Sequence, residues 1–190
     1  MTAGPEVFSI LVVCTANICR SPLTEHLLRA ELGGGPPGIT FEVRSAGILG
    51  WDQSAMDPVT AVELQRLGGD PTDFRARSFT PRLGADTDLI LTAAVEHRAY
   101  VLREVPRALR RTFTLLEFAH LVSAVPRVRD AAGSPHEVVR LAAAARGAAS
   151  IDEYDIADPY GASVDVHRQT ATAIHSAARA AAAGLAANER

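Results

Sequence analysis

A near-continuous apolar run, Val7-Phe8-Ser9-Ile10-Leu11-Val12-Val13, stops at Cys14, and a helix-opening Ser21-Pro22 follows after one short polar loop. A strand that is apolar on both faces belongs in the middle of a parallel sheet, because only there do helices cover both sides. Ser is a good N-cap, Pro suits the first helical position, and Leu23, Leu27, Leu28 and Leu32 then recur on one helical face. This strand-loop-helix unit predicts an α/β protein. Later segments repeat the alternation: Thr40–Ser45 reads as a second strand after the Gly33–Gly38 break, Thr87–Thr92 as a third and Thr112–Leu116 as a fourth. Asp57-Pro58 opens a helix through Leu67, another runs from about Val95 to Val105, and Val166, Ile174 and Leu185 mark a long C-terminal helix from Val164 with a small-residue face. The expected fold is a three-layer α/β/α sandwich with a central four-stranded parallel sheet, residues 1–190 forming one domain. From about 117 to 149 the pattern is helical but interrupted at Pro126 and Gly133-Ser134-Pro135, which predicts two short helices joined by a mobile, Arg-containing link.

Composition narrows the chemistry. All 19 basic residues are arginine and none is lysine, which excludes a Walker-type nucleotide loop, a Schiff-base enzyme and a protein-kinase site. A net charge of -3 argues against nucleic acid as a partner. Nothing approaches the roughly 18 apolar residues of a membrane span, and no signal peptide is visible, so a soluble, cytoplasmic protein is expected. The two cysteines, Cys14 and Cys19, are then free thiols. The six histidines form no zinc-ligand pattern, and no metal or other cofactor is expected.

The loop Cys14-Thr15-Ala16-Asn17-Ile18-Cys19-Arg20-Ser21 feeds a helix N-terminus, where unpaired backbone N–H groups and the helix dipole attract a phosphate-like anion without any lysine. Arg20 adds a planar fork for two anion oxygens. A helix N-terminus and a nearby guanidinium also favour a thiolate over a thiol, which makes Cys14 a candidate nucleophile aimed at the anion's centre.

Val13 to Pro22 resembles the signature of low-molecular-weight protein tyrosine phosphatases, which hydrolyse phosphomonoesters through a cysteinyl-phosphate without a metal. The resemblance implies that Cys14 attacks phosphorus, Arg20 clamps the phosphoryl oxygens, and the loop from Thr15 through Ala16, Asn17, Ile18 and Cys19 to Ser21 cradles them. Asn17, Ser21 and Ser45 match residues that support the loop, and Cys19 matches a cysteine that can form a protective disulfide with Cys14. The family's general acid lies in an Asp-Pro-aromatic motif near the C-terminus, matched here by Asp158-Pro159-Tyr160. Tyr160 and Trp51 fall where relatives place aromatic pocket walls. The implied substrate is a phosphotyrosine-containing protein and the implied product inorganic phosphate. The reading requires the Cys14 sulfur to be open to solvent and Asp158 to be within reach of the loop.

Two departures stand out: Ala16 replaces a common glycine, and Phe74 stands where many relatives have a loop-supporting histidine. Arsenate reduction with an external small thiol and a non-catalytic phosphate- or phosphotyrosine-binding module therefore remain open. Other signals have plainer readings. Gly33–Gly38 spells a dinucleotide spacing in the wrong helix-to-strand context, and Asp57 and Asp70 read as cap and turn residues. Asp152 and Asp155 read as solvated charges, Arg107, Arg110 and Arg111 as a solvated helix end, and His167 and His175 as surface residues.

Overall fold

The computed structural model describes residues 6–129, 134–147 and 151–186. Strands β1 (Glu6–Cys14), β2 (Ile39–Gly47), β3 (Leu89–Thr92) and β4 (Thr112–Thr114) form one sheet in the order β2-β1-β3-β4, with every neighbouring pair parallel. The opening apolar run is therefore central, as its two-sided apolarity requires. Phe8, Ile10 and Val12 point into the larger core, whereas Leu11 and Val13 point into the smaller one. The larger core is covered by α1 (Arg20–Leu32), α2 (Pro58–Arg66), α5 (Leu115–Ala124) and α8 (Val164–Ala186). The smaller is covered by α3 (Pro81–Ala85), α4 (Val95–Glu104) and a 3-10 helix, Pro106–Arg111. Two further helices, α6 (Pro126–Arg129) and α7 (Pro135–Ala145), bring Val128 and Val138 to the larger core. Leu28, Leu89 and Phe118 are fully buried there, and truncating one such side chain to alanine costs about 2–5 kcal/mol.

Several local expectations give way to competing interactions. The fourth strand stops at Thr114, not Leu116, because Thr114 caps α5: its hydroxyl accepts from the Glu117 N–H at 3.1 Å, and the Glu117 carboxylate accepts from the Thr114 N–H at 3.3 Å. Among the described residues the 117–149 segment holds three helices instead of two, and the link expected to be mobile falls largely on residues 130–133, outside the described residues. The alanines of α8 do form its inner face, with Ala171, Ala178 and Ala181 fully buried, but Val166 is only half-buried. Gly184 lets α5 approach closely, since a Cβ there would lie 2.6 Å from Val122 Cβ. His167 is not a surface residue. It is 3% exposed, with Nδ1 at 3.1 Å from the Thr60 hydroxyl of α2, because α8 docks its first turn on α2.

The chain leaves β1 towards β2 on one side and later towards β3 on the other, so the carboxyl end of β1 lies at the topological switch point. Open α/β sheets bind ligands in the crevice outside such a point. Cys14 is the last residue of β1.

Candidate active site

Asn17 organises the loop after β1. Its φ of +59° lies in the left-handed region, which Asn tolerates better than most residues, and the residue is completely buried. Its carboxamide is well satisfied: Nδ2 donates to Ser21 Oγ and Ser45 Oγ, both at 2.8 Å, and Oδ1 accepts from the Arg77 N–H at 2.9 Å. The loop also presses on β2. A Cβ on Gly47 would lie 2.5 Å from the Thr15 carbonyl oxygen, so no other residue fits without moving the loop.

Helix α1 begins at Arg20, one residue before the expected cap, and Cys19 occupies the N-cap position with no side-chain capping bond. Ser21 is thereby released from capping and turns inward, its Oγ 2.9 Å from Cys14 Sγ. Asn17 already donates to this hydroxyl, which leaves the serine proton for the sulfur or for the Ala46 carbonyl, 3.5 Å away. The shorter contact favours the Cys14 sulfur as the acceptor.

Cys14 itself is 2% exposed, which departs from the expected solvent-facing sulfur. The requirement of a solvent-open sulfur is therefore not met, because Cys14 ends a central strand at the base of the loop. Phosphatase chemistry then rests on Arg20, Asp158 and the loop, and needs the loop to admit an anion to the sulfur. Cys19 is also buried, and desolvation pushes its thiol up to about 12, so it keeps its proton across the neutral range. Both are free cysteines.

Arg20 is 4% exposed and its guanidinium is tightly placed. Nη2 donates to Asp158 Oδ2 at 2.6 Å and to Thr15 Oγ1 at 3.1 Å, and Nη1 donates to the Ile156 carbonyl at 3.2 Å. Nε is buried without a partner, a donor left for an anion seated in the loop. Asp158, 138 positions from Arg20, thus meets the expected proximity. The segment carrying it is pinned by the Ile156 N–H on the Ala93 carbonyl at 2.8 Å, beyond the end of β3. Asp155 is not a free charge: its carboxylate accepts the Val95 N–H at 2.7 Å at the start of α4, fastening the same segment. Trp51 and Tyr160 meet edge to face, with centroids 5.4 Å apart and both rings about half exposed. The Trp51 N–H donates to the Ala16 carbonyl at 3.0 Å, which ties this aromatic wall to the loop.

Two participants escaped the sequence reading. Glu25 of α1 is 1% exposed; it accepts from the Ser45 hydroxyl and pairs with Arg29 at 2.6 Å. A hydrogen-bond chain therefore runs from a buried carboxylate through Ser45, Asn17 and Ser21 to Cys14. The only sequence signal was an acid between Leu23 and Leu27 with an arginine four residues on. Glu25 and Asn17's other partners satisfy this network although Phe74 offers no hydrogen bond. Phe74 packs instead in the core, its ring edge-on to His26 at 6.1 Å.

His97 of α4 is completely buried, with Nε2 2.9 Å from Thr15 Oγ1. Desolvation, reinforced by the Arg20 charge, lowers its pKa from 6.5 to about 4, so it is neutral at physiological pH. Well above pH 6.5 neither the folded nor the unfolded chain protonates this ring. As pH falls from 6.5 towards 4 the unfolded chain takes up the proton first, and about 3 kcal/mol of stability is lost across that window. Urea unfolding at pH 7.5 and pH 5 should accordingly show a smaller loss for His97→Gln than for the wild type. Equal losses would assign the acid sensitivity to other groups.

The model of the family described as low molecular weight phosphotyrosine protein phosphatase matches residues 9–130. The chain belongs to that family. Among its relatives is the low molecular weight protein-tyrosine-phosphatase Etp of Escherichia coli K12, 38% identical over 104 residues, which are 55% of this chain and 66% of Etp. The match thus spans just under two thirds of that relative's length. A low molecular weight protein-tyrosine-phosphatase of Streptomyces coelicolor is 32% identical over 154 residues, 80% of this chain and 78% of the relative. The crystal structure of the Erwinia amylovora tyrosine phosphatase AmsI superposes with a TM-score of 0.68 at 28% identity, covering 95% of each chain. Within the low-molecular-weight phosphatase family the loop, Arg20 and the β1 switch point are thus in matched sequence, whereas α7 and Asp158 lie beyond residue 130.

Proposed function

We infer that the chain is a cysteine-dependent phosphatase acting on aryl phosphomonoesters, with phosphotyrosine in proteins as the substrate class and inorganic phosphate as product. The observation that carries this reading is the meeting of Arg20 and Asp158 at 2.6 Å beside a loop floored by Cys14. In the first step the Cys14 thiolate attacks phosphorus, the phosphorus–aryl oxygen bond breaks, and Asp158 gives its proton to the departing oxygen. Loop N–H groups and Arg20, including its free Nε, hold the equatorial oxygens as charge develops. In the second step the Asp158 carboxylate takes a proton from water as that water attacks the phosphocysteine, releasing phosphate and the thiolate. The Ser21 hydroxyl steadies the sulfur in both steps.

Entry of the anion requires the Arg20–Asp158 ion pair to loosen, since one guanidinium nitrogen serves both Asp158 and Thr15. Trp51 and Tyr160 offer the substrate ring edge-to-face contact worth about 0.5–1.5 kcal/mol beyond burial, which favours phosphotyrosine over phosphoserine. Steady-state kinetics on a phosphotyrosine peptide, its phosphoserine counterpart and arsenate plus a small thiol test the assignment. Turnover is expected for the first, with a kcat/KM at least about tenfold above the second. Thiol oxidation by arsenate without phosphatase activity, or phosphopeptide binding without turnover, would replace it.

A further inference from the structure

A cavity of about 790 Å³ opens between the 3-10 helix and α7, in the size range of small-molecule pockets. It lies at the opposite end of the sheet from Cys14: its rim includes Thr87 and Asp88, just before β3, and Arg110 and Arg111, just before β4. One wall is α7, beyond the part of the chain that the family model matches.

The charges on this cavity are not balanced. In a 3-10 helix residues i and i+3 eclipse, so Arg107 and Arg110 project from one side. Both are exposed, and among the described residues neither guanidinium has a hydrogen-bond or ion-pair partner. Arg111 donates Nη2 to the Gly84 and Ala85 carbonyls at 3.3 and 3.0 Å, yet its Nε is buried and unpartnered. Of the neighbouring carboxylates, Asp88 accepts the Ser9 N–H and hydroxyl at 2.8 and 2.6 Å and faces His136 at 3.4 Å, while Asp86 is exposed and only loosely paired, 3.7 Å from Arg82, one acid against three arginines. Arg140, on the α7 side, is chelated by Glu137 and contributes little net charge. Uncompensated guanidiniums therefore face an apolar surface of Val139, Ala143 and Ala144, on a chain whose net charge is -3.

We propose that this cavity binds a small amphipathic anion, its carboxylate, sulfonate or phosphate head held by Arg107, Arg110 and Arg111 and its aromatic or short aliphatic body lying on α7. Guanidinium forks match such heads bidentately, and the small alanine side chains leave room for the body. The occupant is distinct from the substrate because the two sites lie at opposite strand ends.

Fluorescence titration of the full chain with 8-anilinonaphthalene-1-sulfonate tests this, alongside its uncharged analogue N-phenyl-1-naphthylamine. Saturable binding of the sulfonate is expected, weakened at least about tenfold in Arg107→Ser/Arg110→Ser and lost in Ala144→Trp, which fills the cavity from an exposed position. The uncharged analogue should respond to the tryptophan and not to the loss of the arginines. Absence of saturable binding, or equal affinity in the wild type and the double variant, overturns the proposal. So does loss in the double variant with full retention in Ala144→Trp, which moves the dye outside the cavity. The double variant removes only exposed side chains, so its folding, checked by thermal melting, is expected to be intact.

Discussion

Cys14→Ser is expected to lower kcat on aryl phosphates by at least about 10³-fold while leaving phosphate binding intact. The serine oxygen stays protonated at neutral pH, and the Ser21 hydroxyl, 2.9 Å from the Cys14 sulfur, is no base to activate it. Arg20 and the loop amides are unchanged, and the smaller oxygen fits the floor that Cys14 occupies. Turnover on a phosphotyrosine peptide and competitive inhibition constants for inorganic phosphate are the paired measurements. Activity that survives in the serine variant, or that becomes metal-dependent, removes the cysteinyl-phosphate from the mechanism.

Asp158→Asn should reduce kcat by about 10²–10⁴-fold, with the loss depending on the leaving group. Tyrosyl oxygen, whose conjugate acid has a pKa of about 10, needs the proton that Asp158 supplies; p-nitrophenolate leaves readily without it. The decrease is therefore larger on phosphotyrosine than on p-nitrophenyl phosphate. The asparagine also dissolves the ion pair at 2.6 Å, freeing Arg20 for the anion, so KM and the inhibition constant for phosphate should fall or stay level. A uniform loss on both substrates would make Asp158 a structural partner of Arg20 and not the acid.

The loop after β1 is held by a buried hydrogen-bond network to which Phe74 contributes nothing polar. With Phe74 in the core, the loop relies on Asn17, Ser45 and Glu25, and Glu25 takes its counter-charge from Arg29, which also caps the Val43 carbonyl at 2.7 and 3.0 Å. Breaking one member of a buried network of this kind costs more than a surface pair, because the remaining partners lose their hydrogen bonds in a place water cannot reach.

Much of the architecture was written in local pattern. The two-sided apolar run of β1, the proline-opened helix after it, and the glycine break before β2 are decisions made within a few residues, where periodicity and turn chemistry act directly. The errors also have local causes. Ser21 looked like a cap, but the tight loop starts α1 one residue earlier and turns that hydroxyl towards the sulfur. Thr114 looked like mid-strand, but a capping box ends the strand there. His167 looked exposed because the spacing of α8 shows which residues share a face and not which neighbour that face meets.

Cys14, the Arg20 fork and Asn17, which adopts the left-handed turn, all fall within seven positions, so sequence alone could predict an anion cradle after the first strand. Only the tertiary structure decided that Asp158 reaches Arg20, that Thr15 rests on His97 from 82 positions away, that Glu25 anchors the loop from within α1, and that unpaired arginines gather at the far end of the sheet. Such polar contacts leave no periodic trace along the chain. They form because the sheet order and the burial of whole helix faces bring distant groups together, where each must find a partner or remain costly.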